Sequence, residues 1–82
     1  MQISPWGKTV LIYRDGHIRH VNSARDAINM LFSDWPRWEG AAYFSAFDAC
    51  GRAERGESTE ELARSAFILA AIEAGLYFEI KA

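Results

Sequence analysis

The pattern of hydrophobic and polar positions first predicts a β-hairpin near the start of the chain. Residues 9–13 and 17–21 are rich in β-branched and apolar side chains, and Asp15-Gly16 lies between them. Asp-Gly between two such runs is a strong hairpin signal. Two turns are compatible with it. A two-residue loop pairs Val10 with Val21, whereas a type I turn with a glycine bulge shifts this register by one residue.

Helical periodicity follows the hairpin. Ser23 with Asp26 forms an approximate capping box, and the apolar residues after it keep the spacing of one helical face. These residues are Ala24, Ala27, Ile28, Leu31, Phe32 and Trp35. Pro36 disfavours helical geometry at the residue before it, so the first helix is predicted to stop at Trp35. A second helix is predicted from about Arg37 to Arg55, with Pro36 in its first turn and Gly56 at its end.

A third helix and a last strand complete the pattern. Ser58 with Glu61 forms a second capping box, and Gly75 predicts the end of this helix. The face predicted to pack inward is Ala63, Ala66, Phe67, Ala70, Ala71 and Ala74. Phe67 is the one large side chain on it, so we expect it to anchor the helix against a sheet. Residues 76–80 alternate and predict a strand.

The order of elements predicts a topology. If each element reverses the direction of the one before, the last strand is antiparallel to the first and can pair with its free edge. We therefore expect an α+β fold consisting of an N-terminal β-hairpin, three helices and a C-terminal strand. The sheet has three antiparallel strands in the order 2-1-3, and the helices cover one face. Residues 1–82 form one domain.

Composition narrows the class of protein. Eleven acidic against nine basic residues give a net charge of −2, which argues against nucleic acid or an anionic membrane as the main partner. A single cysteine excludes an intramolecular disulfide. The start of the chain lacks a signal-peptide pattern, and the longest apolar run, residues 66–72, is too short to span a membrane. We expect a cytoplasmic protein.

Trp35-Pro36-Arg37-Trp38 has two interpretations. In the first it is a helix corner, in which Trp35 closes the apolar face of the first helix and Trp38 covers the junction from the first turn of the second. In the second, Trp38 is an interaction residue, since tryptophan is enriched at interfaces. The candidate interaction residues are Trp38, Tyr43 and Phe44, together with Ile68 and Leu69 of the third helix.

Arg14, His17, Arg19 and His20 make the hairpin locally basic. Such a patch can meet phosphate or a nucleic-acid backbone, but it is also typical of a solvated strand edge. Two histidines three residues apart on a strand point to opposite faces, so a shared metal ion is not expected. Cys50 lies late in its helix among apolar residues, where a buried, unreactive thiol is expected.

Catalytic and cofactor motifs are missing from the sequence. It contains no dinucleotide-binding, Walker, nucleophile-elbow or zinc-protease pattern. So small a chain also leaves little room for a deep pocket of ~300 Å³ or more. We expect no cofactor, no metal, no catalytic residues and no enzymatic activity.

Residues spread over nearly the whole chain are shared with a known family. They are Val10, Gly16, Val21, Ser23, Ala27, Trp35, Pro36, Gly40, Tyr43, Ala46, Cys50, Gly56 and most of residues 63–75. In this order they resemble domain of unknown function 982, a family of short proteins from rhizobia and their relatives. The resemblance implies a bacterial, cytoplasmic protein and supplies no activity, cofactor or catalytic residue to carry over.

The sequence is therefore interpreted as an interaction or regulatory module that acts through protein contacts and self-association. The second and third helices are apolar around more of their circumference than one core requires, which favours a homodimer formed by the helical surface. The alternative is a module that binds a small ligand through the Trp38 region, or nucleic acid through the basic hairpin. The ligand interpretation requires a pocket lined by Trp38, Tyr43 or Phe44.

Overall fold

The computed structural model describes residues 4–82. Its elements are β1 (Thr9–Arg14), β2 (His17–Val21), α1 (Ala24–Ser33), α2 (Ala41–Glu54), α3 (Glu60–Glu73) and β3 (Tyr77–Lys81). The strands form an antiparallel sheet in the order β2-β1-β3. The predicted α+β fold and strand order are confirmed. The prediction that no leader begins the chain falls partly on residues 1–3, which lie outside the described residues.

The hairpin uses the two-residue turn. Val10 pairs with Val21, and Arg14 pairs with His17. Asp15 has a φ of 50° and Gly16 a φ of 78°, so both residues are left-handed, as a type I′ turn requires. This turn matches the right-handed twist of the strands, and the bulged alternative is excluded.

The core lies between the helices and one face of the sheet, and Phe67 is at its centre. Phe67 is fully buried. Its ring centroid lies 5.7 Å from that of Trp6 and 5.4 Å from that of Trp35. On the sheet, Val10 and Ile12 face this cluster and are also fully buried. The predictions that Phe67 anchors α3 and that Trp35 lies in the core are therefore confirmed.

The first helix differs from its prediction in which side chains are buried and in the residue at which it ends. Ser23 caps it as expected, with its Oγ accepting a hydrogen bond from the Asp26 N–H at 3.1 Å. The buried face, however, includes Met30, whereas Phe32 is 63% exposed. Met30 and Phe32 lie about 100° to either side of Leu31, and the core covers the Met30 side and leaves the Phe32 side in solvent. The helix ends at Ser33, two residues before Trp35.

The second helix starts four residues later than predicted, at Ala41. Its N-cap, Gly40, has φ 113° and ψ 146°, a conformation open almost only to glycine. No side chain at the cap position bonds the first turn. The Glu73 carboxylate of α3 replaces it, accepting hydrogen bonds from the N–H groups of Ala42 (2.9 Å) and Tyr43 (3.0 Å). Residues 36–39 therefore form a loop and not a helical turn.

Smaller corrections apply to the third helix and the last strand. The cap of α3 is Thr59 and not Ser58, since Thr59 Oγ1 accepts from the Leu62 N–H at 3.1 Å. Glu60 becomes the first helical residue, and its carboxylate accepts from the Ala24 N–H of α1 at 2.8 Å. The last strand is Tyr77–Lys81, one residue later than predicted. None of the helices in residues 4–82 is long and apolar enough to cross a membrane.

Candidate interaction surfaces

An aromatic groove lies open on the surface between α1, α2 and the loop that joins them. Its volume is about 570 Å³. The residues that line this aromatic groove are Phe32, Trp38, Tyr43, Phe44, Phe47 and Asp48. The sequence led us to expect little room for a deep pocket of ~300 Å³ or more. The groove exceeds that volume, but it is an open concavity between elements at the surface and takes no space from the core.

Tyr43 forms the buried base of the groove, and the other rings stand around it. Tyr43 is 5% exposed, and its hydroxyl donates to the Leu31 carbonyl of α1 at 3.0 Å. Its ring centroid is 5.5 Å from that of Phe44 and 6.1 Å from that of Phe47. The hydrogen bond satisfies the phenol inside the protein, so α1 and α2 together fix the base.

Trp38 reaches the groove from the loop before α2. Its side chain is 66% exposed, so it does not cover the helix junction from within α2, as the corner interpretation required. The loop re-enters the fold at Gly40, where the Glu73 carboxylate holds the first turn of α2. A Cβ at position 40 would lie 2.7 Å from the Glu73 Cδ. The glycine therefore lets α3 hold the end of the loop that presents Trp38.

A second exposed apolar surface, the α3 stripe, consists of Leu62, Leu69 and Ile72. These side chains are 59%, 59% and 58% exposed. They lie on the side of α3 away from Phe67. Ile68, the other candidate interaction residue on this helix, is only half-buried and packs against the core.

The four residues of the candidate basic patch do not share one surface. Arg14 Nε and Arg19 Nη1 both bind the Asp34 carboxylate at the end of α1, at 3.1 and 2.9 Å. His17 and His20 are exposed, and strand alternation places them on opposite faces of the sheet. The structure therefore brings the two arginines together at Asp34 and does not gather the four residues on one surface.

Cys50 is fully buried in α2. Burial raises the pKa of its thiol to about 12, with smaller contributions from the negative charges of Glu60 and Glu54. The thiol is protonated at neutral pH and is neither a nucleophile nor a ready metal ligand. Within residues 4–82, no group of three or more His, Cys, Asp or Glu side chains is arranged to hold a metal ion.

A polar cluster occupies the face of the sheet turned away from the helices. The hydroxyls of Tyr13 and Tyr77 donate to the two oxygens of the Glu79 carboxylate, at 2.7 and 3.1 Å. The hydrogen bond from Tyr13, followed by that from Tyr77, lowers the pKa of Glu79. Each of the three groups thus has a partner within the cluster, and the arrangement stiffens β1 against β3.

Sequence reasoning found Trp38, Tyr43 and Phe44 but missed Phe32, Phe47 and Asp48 as groove residues. Phe32 was assigned to the buried face of α1 because its spacing fits that face. One signal could have placed that assignment in doubt. Met30, Leu31 and Phe32 are consecutive and span about 200° of the helix, wider than the stripe of about 100° that a surface helix needs to bury, which indicated that one flank would be exposed without showing which.

The comparisons with known proteins agree with the resemblance seen in the sequence. The model of the family described as "Protein of unknown function (DUF982)" matches residues 9–78 of the 82-residue chain. No curated protein matches the chain, and no solved structure matches it. Because the match runs from β1 into β3, the groove and the α3 stripe both lie inside it. The chain belongs to the DUF982 family.

Proposed function

We propose that this protein is a non-catalytic interaction module that self-associates as a homodimer through the α3 stripe. The observation that carries the proposal is the stripe itself, three large aliphatic side chains that are each more than half exposed on one helix. A contiguous apolar patch left in water is typical of an interaction surface.

The spacing of the stripe suits helix packing. Leu62, Leu69 and Ile72 follow one another by seven and three residues, which places them within about 80° of arc on an α-helix. Steps of seven and three residues also occur along the seam of helices that pack side by side. Ser65, which is exposed, occupies the remaining seam position and is small enough to let a second helix approach.

A second copy is the simplest partner for such a stripe. A two-fold axis brings the same patch of two chains together, so each apolar surface covers the other and no different protein is required. The free edge of β3 is a poorer surface, because Glu79 and Lys81 are exposed there and charges on an edge strand oppose pairing.

Nothing in the contacts of the hairpin favours the nucleic-acid alternative. Arg14 and Arg19 are the two cations that would bind phosphate most strongly, and both are held by Asp34. Binding phosphate there would compete with these ion pairs and loosen the hairpin from the end of α1.

Leu69→Glu is expected to convert the dimer to a monomer. Leu69 is 59% exposed, so the change should alter the stability of the fold by no more than about 0.5 kcal/mol. At a two-fold interface it places two carboxylates in an apolar contact, where unpaired charges are strongly unfavourable. Sedimentation equilibrium should show the mass falling to 9.3 kDa, with an unchanged circular dichroism spectrum.

Phe44→Glu is the matched control, because Phe44 is also 59% exposed but lies in the aromatic groove. It should leave the dimer mass unchanged. If Phe44→Glu dissociates the dimer and Leu69→Glu does not, the proposed interface is wrong and the groove is the interface. If both variants keep the mass of the parent, the stripe plays no part in association.

A further inference from the structure

We propose that the aromatic groove binds an organic cation, an alkylated ammonium group carried on a short apolar chain. The groove combines five aromatic side chains with one carboxylate, that of Asp48. This combination is selective for a ligand that is both positively charged and apolar. The proposal concerns a different surface from the α3 stripe and does not depend on self-association.

The charge of the lining identifies the class of ligand. The faces of aromatic rings are electrically negative, and a cation positioned over them is attracted. Asp48 adds a carboxylate, and no basic side chain is among the described residues that line the groove, although Arg52 pairs with Asp48 from the next turn of α2. An anion or a neutral ligand gains no electrostatic attraction from such a lining. An ammonium group is attracted both by the faces of the aromatic rings and by the Asp48 carboxylate.

Four of the five rings are exposed to a ligand. Phe44 meets Tyr43 edge to face, at an interplanar angle of 76°, and Phe47 meets it at 45°. Tyr43 is only 5% exposed, so the ring surface open to a ligand is that of Phe44 and Phe47, 59% and 39% exposed, together with Phe32 and Trp38. Tyr43 is fixed by its hydrogen bond to the Leu31 carbonyl, so the base of the site exists before any ligand arrives.

Arg52 holds the Asp48 carboxylate in place, and the carboxylate remains exposed to solvent. Its Oδ2 accepts a hydrogen bond from Arg52 Nε at 3.0 Å, one helical turn along α2. The two side chains are 63% and 54% exposed, and ion pairs of this kind contribute little, about 0–1 kcal/mol. A ligand cation can share or replace Arg52 at a small cost, while α2 keeps the carboxylate beside the rings.

The size of the groove indicates more than a head group. Its volume of about 570 Å³ falls within the range of ~300–1,000 Å³ that small-molecule sites occupy. A trimethylammonium group fills only a fraction of that space. Trp38 and Phe32, 66% and 63% exposed at the rim, provide apolar surface for a chain attached to the cation.

The test is a titration of ¹⁵N-labelled protein with hexyltrimethylammonium, followed by NMR. The chain has three tryptophans, and only Trp38 lies in the groove. A saturable shift of the Trp38 indole N–H, with those of Trp6 and Trp35 unmoved, is the expected result. Hexanoate, an anion of similar length, should produce no such shift.

A pair of nearly identical probes separates charge from apolar contact. Choline and 3,3-dimethylbutan-1-ol have the same shape, and only choline is a cation. Choline should bind about tenfold more tightly, the size expected of a cation held by several aromatic rings. Equal binding of the two, or binding of hexanoate as tight as that of the ammonium probe, would overturn the proposal, since the groove would then be merely apolar.

Two variants locate the site. Trp38→Ala should weaken hexyltrimethylammonium binding about tenfold or more, and Asp48→Asn about threefold or more. Ile18→Ala, a control at a 49% exposed position on β2, should bind as the parent does. Circular dichroism confirms that each variant is folded. If neither groove variant weakens binding, or if the Trp38 signal moves with protein concentration alone, the site is not a ligand site and the proposal fails.

Discussion

Phe67→Ala is expected to destabilise the protein by about 3–5 kcal/mol, the range measured for removing a buried phenylalanine from a core. Phe67 is fully buried, and its ring contacts Trp6 and Trp35. Alanine would leave a cavity between two large rings that are themselves buried. Small domains have total stabilities of about 5–15 kcal/mol, so this variant should be partly or wholly unfolded. Urea denaturation followed by circular dichroism measures the loss.

Phe44→Ala is the matched control for this substitution. It removes the same ring from a side chain that is 59% exposed, so the loss of stability should stay below about 1 kcal/mol. A Phe67→Ala variant that unfolds within about 1 kcal/mol of the parent would show that the core can close around the missing ring. It would also refute the assignment of Phe67 as the anchor of α3.

Gly40→Ala is expected to be the second most damaging change. The φ of 113° at this position adds about 1–3 kcal/mol of backbone strain for any other residue. The new Cβ would also lie against the Glu73 carboxylate and displace it from the Ala42 and Tyr43 N–H groups. Loss of a helix cap adds about 1 kcal/mol. The free energy of unfolding, measured in urea, should fall by both contributions.

Gly51→Ala is the control, and its effect should have the opposite sign. Gly51 lies inside α2, and a Cβ there meets only the flexible end of Arg55, at 3.3 Å. Alanine in a helix interior is favoured over glycine by about 0.5–1 kcal/mol, so this variant should be more stable than the parent. If Gly40→Ala were as stable as Gly51→Ala, the left-handed cap and the Glu73 contact would not matter to the fold.

The overall fold could be predicted because its signals are local. Asp15-Gly16 gives the hairpin, and Ser23 and Gly75 mark helix boundaries through contacts within a few residues. The hairpin register was left open, since choosing between the two turns depends on the twist of the assembled sheet. Phe67 was identified as the core anchor because it is the one large side chain on a face of alanines.

The start of α2 could not be predicted, because its cap comes from a distant part of the chain. Residues near Pro36 fit a first helical turn by their own preferences. The structure instead caps the helix at Gly40 with Glu73, thirty or more positions away in sequence. That contact exists only after α2 and α3 have packed, and it moves Trp38 from a helix into a loop.

Only some residues of the candidate surfaces could be predicted, because the others depend on contacts between distant parts of the chain. Trp38 and Phe44 were identified from residue type, and both are exposed in the aromatic groove. Phe32 was assigned to the wrong side of α1, whose orientation depends on how Met30 packs. The pairing of Arg14 and Arg19 with Asp34 joins residues fifteen to twenty positions apart, which no local pattern specifies.

Sedimentation equilibrium of the unmodified protein over a range of concentrations is the most direct test of self-association. The monomer has a mass of 9.3 kDa. If the α3 stripe joins two copies, the fitted mass should approach twice that value at micromolar concentration and should fall on dilution. A mass of 9.3 kDa maintained up to ~100 μM, where even weak specific association is populated, would contradict the proposed homodimer.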